Sequence, residues 1–202
     1  MLTFLVIEDT IYFVMWEAYD VRIIAGTRRG LKLFEFEGAD VRPTTDRVRE
    51  SMFNLIQDFV RDSVVLDLFG GSGALSLEAL SRGADRAVVT DIDARSVGLI
   101  RRNAEKAGFL DRMEILNESA ASYLNRTAQK FHVVFLDPPY NPGLIRPTLE
   151  LISKRDILAE EGIAVLERDS GDEPGDIMGL AVLKQKKYGR SCITIYHRGD
   201  KH

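Results

Sequence analysis

The chain has 202 residues, of which 45% are apolar and 29% charged, with a formal net charge of −4. That is enough for one substantial core and too little for two ordinary domains, and the composition excludes a disordered or fibrous protein. The single cysteine, Cys192, excludes an intramolecular disulfide and suits a reducing cytoplasm, while His132, His197 and His202 are scattered without ligand spacing, so no metal site is expected.

The first twenty residues, MLTFLVIEDTIYFVMWEAYD, contain Glu8, Asp9, Glu17 and Asp20 and no Lys or Arg. They lack the basic start and cleavage site of a secretory signal, and charge interrupts them too early for a membrane span. Two readings stand for residues 1–20: an upstream extension produced by start-site choice, with Val21 as the natural beginning, or an added strand or helix covering a sheet edge. Setting those four acids aside from the 31 leaves the remainder neutral against its 27 bases. The bases cluster, with Arg22, Arg28, Arg29, Arg42, Arg47 and Arg49 near the front and Lys184, Lys186, Lys187 and Arg190 near the end. Such clusters either attract phosphates locally on a neutral body or are an ordinary solvated surface.

Arg22–Ala25 and Leu31–Phe36 flank Gly26-Thr27-Arg28-Arg29-Gly30, a hairpin-like signal. Arg42-Pro43-Thr44-Thr45-Asp46 reads as a loop into a helix, with Thr44 or Thr45 as N-cap and Val48, Met52, Phe53, Leu55 and Ile56 at helical spacing. Residues 21–60 therefore form a small front piece of hairpin and helix, ahead of a main domain over 61–202.

From Val64 the pattern alternates. VVLDLF, AVVTD, MEIL, HVVFLD and IAVLE are short apolar runs, separated by helical stretches near 73–82, 94–107, 119–128 and 143–154. Strands apolar on both faces and separated by helices predict a parallel sheet covered on each side. AVLKQKKY and CITIYHR are joined only through Gly189–Ser191, too short for a parallel crossover, so they pair as an antiparallel hairpin. The predicted fold class is α/β and Rossmann-like, a mostly parallel sheet ending in an antiparallel hairpin, which is the plan of the class I methyltransferases.

Within that frame VVLDLFGGSGALSLEAL places Asp67, Phe69, Gly71 and Gly73 at alternate positions between a strand and a helix. Glycines there let the backbone approach a ligand, and the following helix aims free N–H groups at it. Asp91 ends the next strand twenty residues after Gly71, the spacing at which a carboxylate reaches a ribose. Ser76 stands where a dinucleotide loop needs its third glycine, so DxFxGxG fits S-adenosylmethionine better than a dehydrogenase cofactor.

Asp137-Pro138-Pro139-Tyr140 follows the fourth parallel strand, at the edge where open α/β sheets bind ligands. The prolines fix the backbone and remove two N–H donors, leaving the carbonyls and the Asp137 carboxylate as acceptors for an exocyclic amine. Tyr140 supplies a ring for the base plane, a contact worth about 1–3 kcal/mol. A base amine is a poor nucleophile, and acceptors that stabilise its developing positive charge assist attack.

RIIAG…RG, RPTTDRVRESMFN, DLFGGSGALSLEALSRGA and FLDPPY together resemble the RsmD family over about residues 21–198. That resemblance implies a bacterial S-adenosylmethionine-dependent enzyme that methylates the exocyclic N2 of one guanine in 16S ribosomal RNA. Its substrate would be an assembled or partly assembled small subunit, and it would act in the cytoplasm, as a monomer and without membrane or metal. By the same similarity Asp137, Pro138, Pro139 and Tyr140 are the catalytic motif. Asp67, Phe69, Gly70, Gly71, Gly73, Asp91 and Ile92 hold the cofactor, with Glu118 and Ser119 at its third contact. Arg22, Arg28, Arg29, Arg42, Arg47, Arg49 and Arg190 are the candidate RNA contacts, Arg42 and Arg49 having a packing reading beside the RNA one. Two departures from the family pattern are expected to be mild: glycine for the usual alanine at Gly70, costing mainly rigidity, and Glu118 where aspartate is common. A DNA adenine or other amine-directed methyltransferase and a noncatalytic RNA-binding assembly factor are the competing functions.

Overall fold

A computed structural model describes residues 3–7, 10–14, 21–36, 46–138 and 142–199. Two strands open the chain, β1 (Thr3–Ile7) and β2 (Thr10–Val14), paired antiparallel with each other as a two-stranded sheet of their own. The described residues of this hairpin do not join the main sheet.

The main sheet has seven strands: β3 (Val64–Asp67), β4 (Arg86–Asp91), β5 (Met113–Asn117), β6 (Phe131–Leu136), β7 (Leu158–Asp169), β8 (Leu180–Tyr188) and β9 (Ser191–Arg198). Their order is β5-β4-β3-β6-β7-β9-β8, parallel through β7 and antiparallel for the last two pairings. Chain order reverses between β3 and β6, and it is at the carboxyl ends of strands at such a point that open α/β sheets bind ligands.

Period-two alternation explains the two cores. Val65, Val133, Phe135 and Val165 point to one face, where α1 (Asp46–Leu55), α3 (Ala74–Ser81) and α4 (Ala94–Ala107) bury Phe53, Leu77 and Ile100. Leu66, Val134, Leu136 and Leu166 point to the other, under Leu124 of α5 (Ala120–Arg126) and Leu149 of α6 (Ile145–Lys154). A short α2 (Gln57–Val60) links α1 to β3.

β7 begins five residues before the expected Ile163. Phe131 pairs with Leu158, and a register shift then resumes pairing at Val133 with Ile163. Ala159-Glu160-Glu161-Gly162 hides this extension from a hydrophobicity reading because it is largely polar. β8 is the edge strand, exposed along most of its length, with its register broken between Val182 and Lys184.

The expected front hairpin is looser than a ladder. One bridge joins Arg22 to Lys32, and a single turn of tight helix over Gly26–Arg28 closes it, with Ile23 N donating to Leu31 O at 2.9 Å. This loop folds onto α3 instead of extending as strands. The buried Glu78 carboxylate accepts from Ile24 N at 2.6 Å and Ala25 N at 3.0 Å. Ser81 Oγ accepts from Arg28 N at 2.9 Å. Gly26 allows this approach, since a Cβ there would lie 1.8 Å from Ser81 O. Helix α1 places Val48, Met52 and Phe53 in the core as its spacing predicts. Thr44 and Thr45, its expected caps, lie outside the described residues.

Candidate active site

Asp67 ends β3 and is almost wholly buried. Its Oδ2 accepts from the buried Ser76 Oγ at 2.9 Å, while its Oδ1 has no hydrogen-bond partner. Burial, in the first place, pushes its pKa up to about 7; the negative charges of Asp137 and Asp91 push the same way, against the Ser76 hydrogen bond and a weaker contribution from the Phe69 backbone N–H, which lies outside strict hydrogen-bond geometry. A buried carboxylate with one bare oxygen and like charges nearby is a site that favours a cation.

The glycine loop runs from this acid into α3. Gly71 and Gly73 adopt φ of 54° and 81°, and Gly73 N donates to Gly70 O at 2.7 Å to close the turn. Gly70 N donates to Thr90 O at 2.9 Å, and Gly71 N donates to Asp91 Oδ2 at 2.8 Å, so the first loop is stitched to the tip of β4. The Asp91 Oδ1 accepts from Asp93 N at 2.8 Å. Each oxygen of Asp91 therefore holds one backbone amide and retains acceptor capacity toward the crevice. Asn117, at the end of β5, donates to Asp91 O and Ile92 O, both at 3.0 Å, and pins the turn that leaves Ile92 77% exposed.

Gly70 is closely packed. A Cβ there would lie 2.5 Å from Val89 Cγ1 and 2.8 Å from Ile100 Cδ1. Alanine there would require the ends of those two side chains to shift, a packing cost that adds to any loss of rigidity.

The third expected contact follows β5. Glu118 is turned toward Arg126 of α5, accepting from its Nε at 3.1 Å and also from Nη2, and the hydrogen bonds from Arg126 hold its pKa below the usual carboxylate range. Ser119 Oγ caps α5 by accepting from Ser122 N at 3.2 Å. Both side chains are engaged within the protein, which leaves the backbone at Ser119 as the candidate contact.

β6 delivers Asp137 and Pro138, both partly exposed, at the same edge as Asp67 and Asp91. Pro139 and Tyr140 lie outside the described residues. Among the described residues no three His, Cys, Asp or Glu side chains are grouped to hold a metal ion, and no helix is long and apolar enough to cross a membrane.

The candidate RNA contacts divide. Arg29 and Arg47 are exposed, and Arg42 lies outside the described residues. Arg22 is exposed and pairs with Asp46 at 3.0 Å, and Arg190, 80% exposed, is 3.5 Å from Asp169. Arg28 is exposed, yet its Nε donates to Ala107 O at 2.7 Å at the end of α4 and its guanidinium lies over the Phe109 ring. Arg49 does not lie on a surface at all: it is 2% exposed, donating to Arg22 O at 2.6 Å and Asp46 Oδ1 at 2.7 Å. Its burial lowers its pKa, and the charges of Asp46, Glu78 and Glu167 oppose that shift. Of its two readings, packing is the one this geometry supports.

Sequence reasoning passed over two buried polar residues that organise the site, Glu78 and Asn103, and read Ser76 only as the place of a missing glycine. Asn103 accepts from Phe34 N at 2.7 Å and donates to Phe34 O at 3.0 Å and Ser72 O at 2.9 Å, tying the front piece to the cofactor loop. The available signal was their position: Glu78 stands among leucines in ALSLEALS, and Asn103 shares the apolar face of α4 with Leu99, Ile100 and Ala104.

A parallel sheet reversing between β3 and β6, closed by an antiparallel pair and carrying acids at three strand tips, defines a class I methyltransferase fold. Among solved structures, yhhF from Escherichia coli matches with a TM-score of 0.80 and 32% identity, covering 89% of this chain and 98% of that one. The ribosomal protein L11 methylase from Lactobacillus delbrueckii subsp. bulgaricus shares the fold at a TM-score of 0.61 and 20% identity, covering 79% and 81%. Residues 21–197 match the family described as conserved hypothetical protein 95. Ribosomal RNA small subunit methyltransferase D of Escherichia coli (strain K12) is 37% identical over 181 residues, 88% of this chain and 90% of its own. The chain belongs to this family, the RsmD family.

Proposed function

We propose that the chain transfers a methyl group from S-adenosylmethionine to the exocyclic N2 of a guanine in small-subunit ribosomal RNA. Family membership supports the rRNA methyltransferase class, and the chemistry of the site supports the cofactor. The carrying observation is the bare Oδ1 of buried Asp67 beside Asp91 and Asp137. S-adenosylmethionine brings an ammonium and a sulfonium to offset these charges, whereas a dinucleotide would bring a pyrophosphate of the same sign. When bound, it supplies an electrophilic methyl group.

The chain's own residues do the rest. Asp67 receives the ammonium end, the backbone from Phe69 to Gly73 gives it room, and Asp91 accepts from the ribose hydroxyls. Ile92 offers an apolar surface to the adenine, with the backbone at Ser119 on its edge. Asp137 and the carbonyls of the Pro138-Pro139 corner accept from the guanine amine, orient its lone pair and stabilise positive charge developing on nitrogen. Tyr140 stacks on the base. The amine proton leaves through Asp137 or to water. Arg22, Arg29, Arg47 and Arg190 receive RNA phosphates, the substrate being an assembled or partly assembled subunit in the cytoplasm and the enzyme acting as a monomer.

Labelled S-adenosylmethionine, offered with small subunits lacking the modification, naked rRNA and DNA in separate reactions, tests this reading. Label in rRNA that co-elutes with N2-methylguanosine after digestion is expected. Label on DNA alone, or at another nucleobase, overturns it; tight RNA binding without label favours the assembly factor.

A further inference from the structure

Outside the strand tips, a groove of about 420 Å³ runs between Phe34–Phe36 and α4, lined by Arg95, Gly98, Leu99 and Arg102. Phe34 is 38% exposed at its wall. The Arg102 guanidinium lies 4.5 Å from the centre of the Phe34 ring and the Lys106 ammonium 4.3 Å from it. Both are within the range of a cation–π contact. Two cations held on one ring repel each other, and the acid of the groove lining, Glu35, accepts from Val21 N at 2.7 Å. By contrast Arg95 at the inner end already has Asp93 at 2.7 Å.

Phe34 itself is fixed by its backbone, through the Asn103 hydrogen bonds described above, while a further one from Asn103 reaches Ser72 in the cofactor loop. The ring therefore holds Arg102 and Lys106 at a set place relative to the active edge. On this side of α4 Arg102 and Lys106 stand beside Phe34, whereas Arg101 turns away to donate to Ile115 O at 3.1 Å.

We infer that this groove is an RNA-backbone site, in which Arg102 and Lys106, held on the Phe34 ring, bind a phosphate of the strand flanking the target nucleotide. The inference rests on the rRNA reading above. An anion bridging the two cations removes their repulsion, and the guanidinium and ammonium donors not facing the ring remain available to it. RNA fits better than a free anion because the groove extends along α4 from Arg95 to Arg102, room for more than one phosphate group. An aromatic wall interleaved with bases is also the usual composition of a single-strand site.

The test compares wild type with Arg102→Gln/Lys106→Gln, using fluorescence anisotropy on an rRNA fragment across a salt series, and methylation kinetics on small subunits. The slope of log affinity against log salt is expected to fall by about 0.7 for each phosphate that the variant no longer neutralises. KM for subunits is expected to rise with little change in kcat, since the site is away from the reacting atoms, and cofactor affinity stays unchanged as the control for folding. Phe34→Leu keeps both charges and removes their platform, so affinity should fall at an unaltered slope. An active wild type whose double variant keeps the same slope and KM overturns the inference. So does a variant that loses heparin binding while its subunit KM is unchanged, which would mark a general polyanion surface. A wild type that neither binds nor methylates rRNA would instead refute the proposed function itself.

Discussion

Asp67→Asn isolates the electrostatic strain at the centre of the site. The carboxyl titrates at 3.8 when free and is pushed up to about 7 in the fold, chiefly by burial. It thus binds a proton more tightly folded than unfolded, and the unliganded protein loses stability as pH rises from about 4 to about 7. At about 1.4 kcal/mol per pKa unit, the full cost of ionising Asp67 in place is about 4 kcal/mol, reached above pH 7. An amide does not ionise. Its nitrogen at the bare Oδ1 position would be an unsatisfied donor costing about 1–3 kcal/mol, but that cost is independent of pH. The stability difference, variant minus wild type, should therefore grow by about 2–3 kcal/mol between about pH 5 and 8, or about 4–12 °C in Tm. Thermal denaturation of the unliganded proteins at both pH values measures it. Cofactor affinity, followed by calorimetry, should rise with pH toward 7 in wild type and stay flat and weak in the variant. A stability difference that is the same at both pH values would refute the argument.

Asp137→Ala should lower kcat by about a hundredfold or more, the scale of losing one preorganised polar group at a developing charge, with cofactor affinity within a few fold; single-turnover methylation and calorimetry read the two separately. Gly70→Ala should destabilise by about 1–3 kcal/mol through overpacking against Val89 and Ile100, and adding Val89→Ala should recover much of it in denaturant titrations. Arg49→Ala should cost about 3 kcal/mol, because the acids around it lose a buried counter-charge, whereas Arg29→Glu/Arg47→Glu should leave Tm unchanged and flatten the salt dependence of RNA binding.

The strand tips were legible because their signals are local. Asp67, Asp91 and Asp137 each end an apolar run, and helices between those runs force a parallel sheet. Side-chain direction across the sheet was not legible in the same way. Arg49 turns inward to bonds with Asp46 in its own helix and with Arg22 O, 27 residues away, and the more distant charges of Glu78 and Glu167 add to these; no periodicity in α1 marks it. Gly70 shows the same limit: the loop motif does not reveal that Val89 and Ile100, 19 and 30 residues away, crowd the space a side chain there would take. The front piece read as a hairpin because two short runs flank Gly26–Gly30, and backbone bonds such as Gly30 N to Ile23 O and Leu33 N to Val21 O do join them, but its further bonds to Glu78 and Ser81 are a tertiary preference hidden from local pattern.

β8 leaves one margin of the sheet open to solvent, with backbone groups that another chain's strand could pair with. Lys184, Lys186 and Lys187 line that margin, and the break in register after Val182 bends it. Adding a strand there would bring like charges together and strip water from three ammonium groups. These lysines thereby discourage growth of the sheet from molecule to molecule, and replacing them with threonine or valine would trade solubility for self-association.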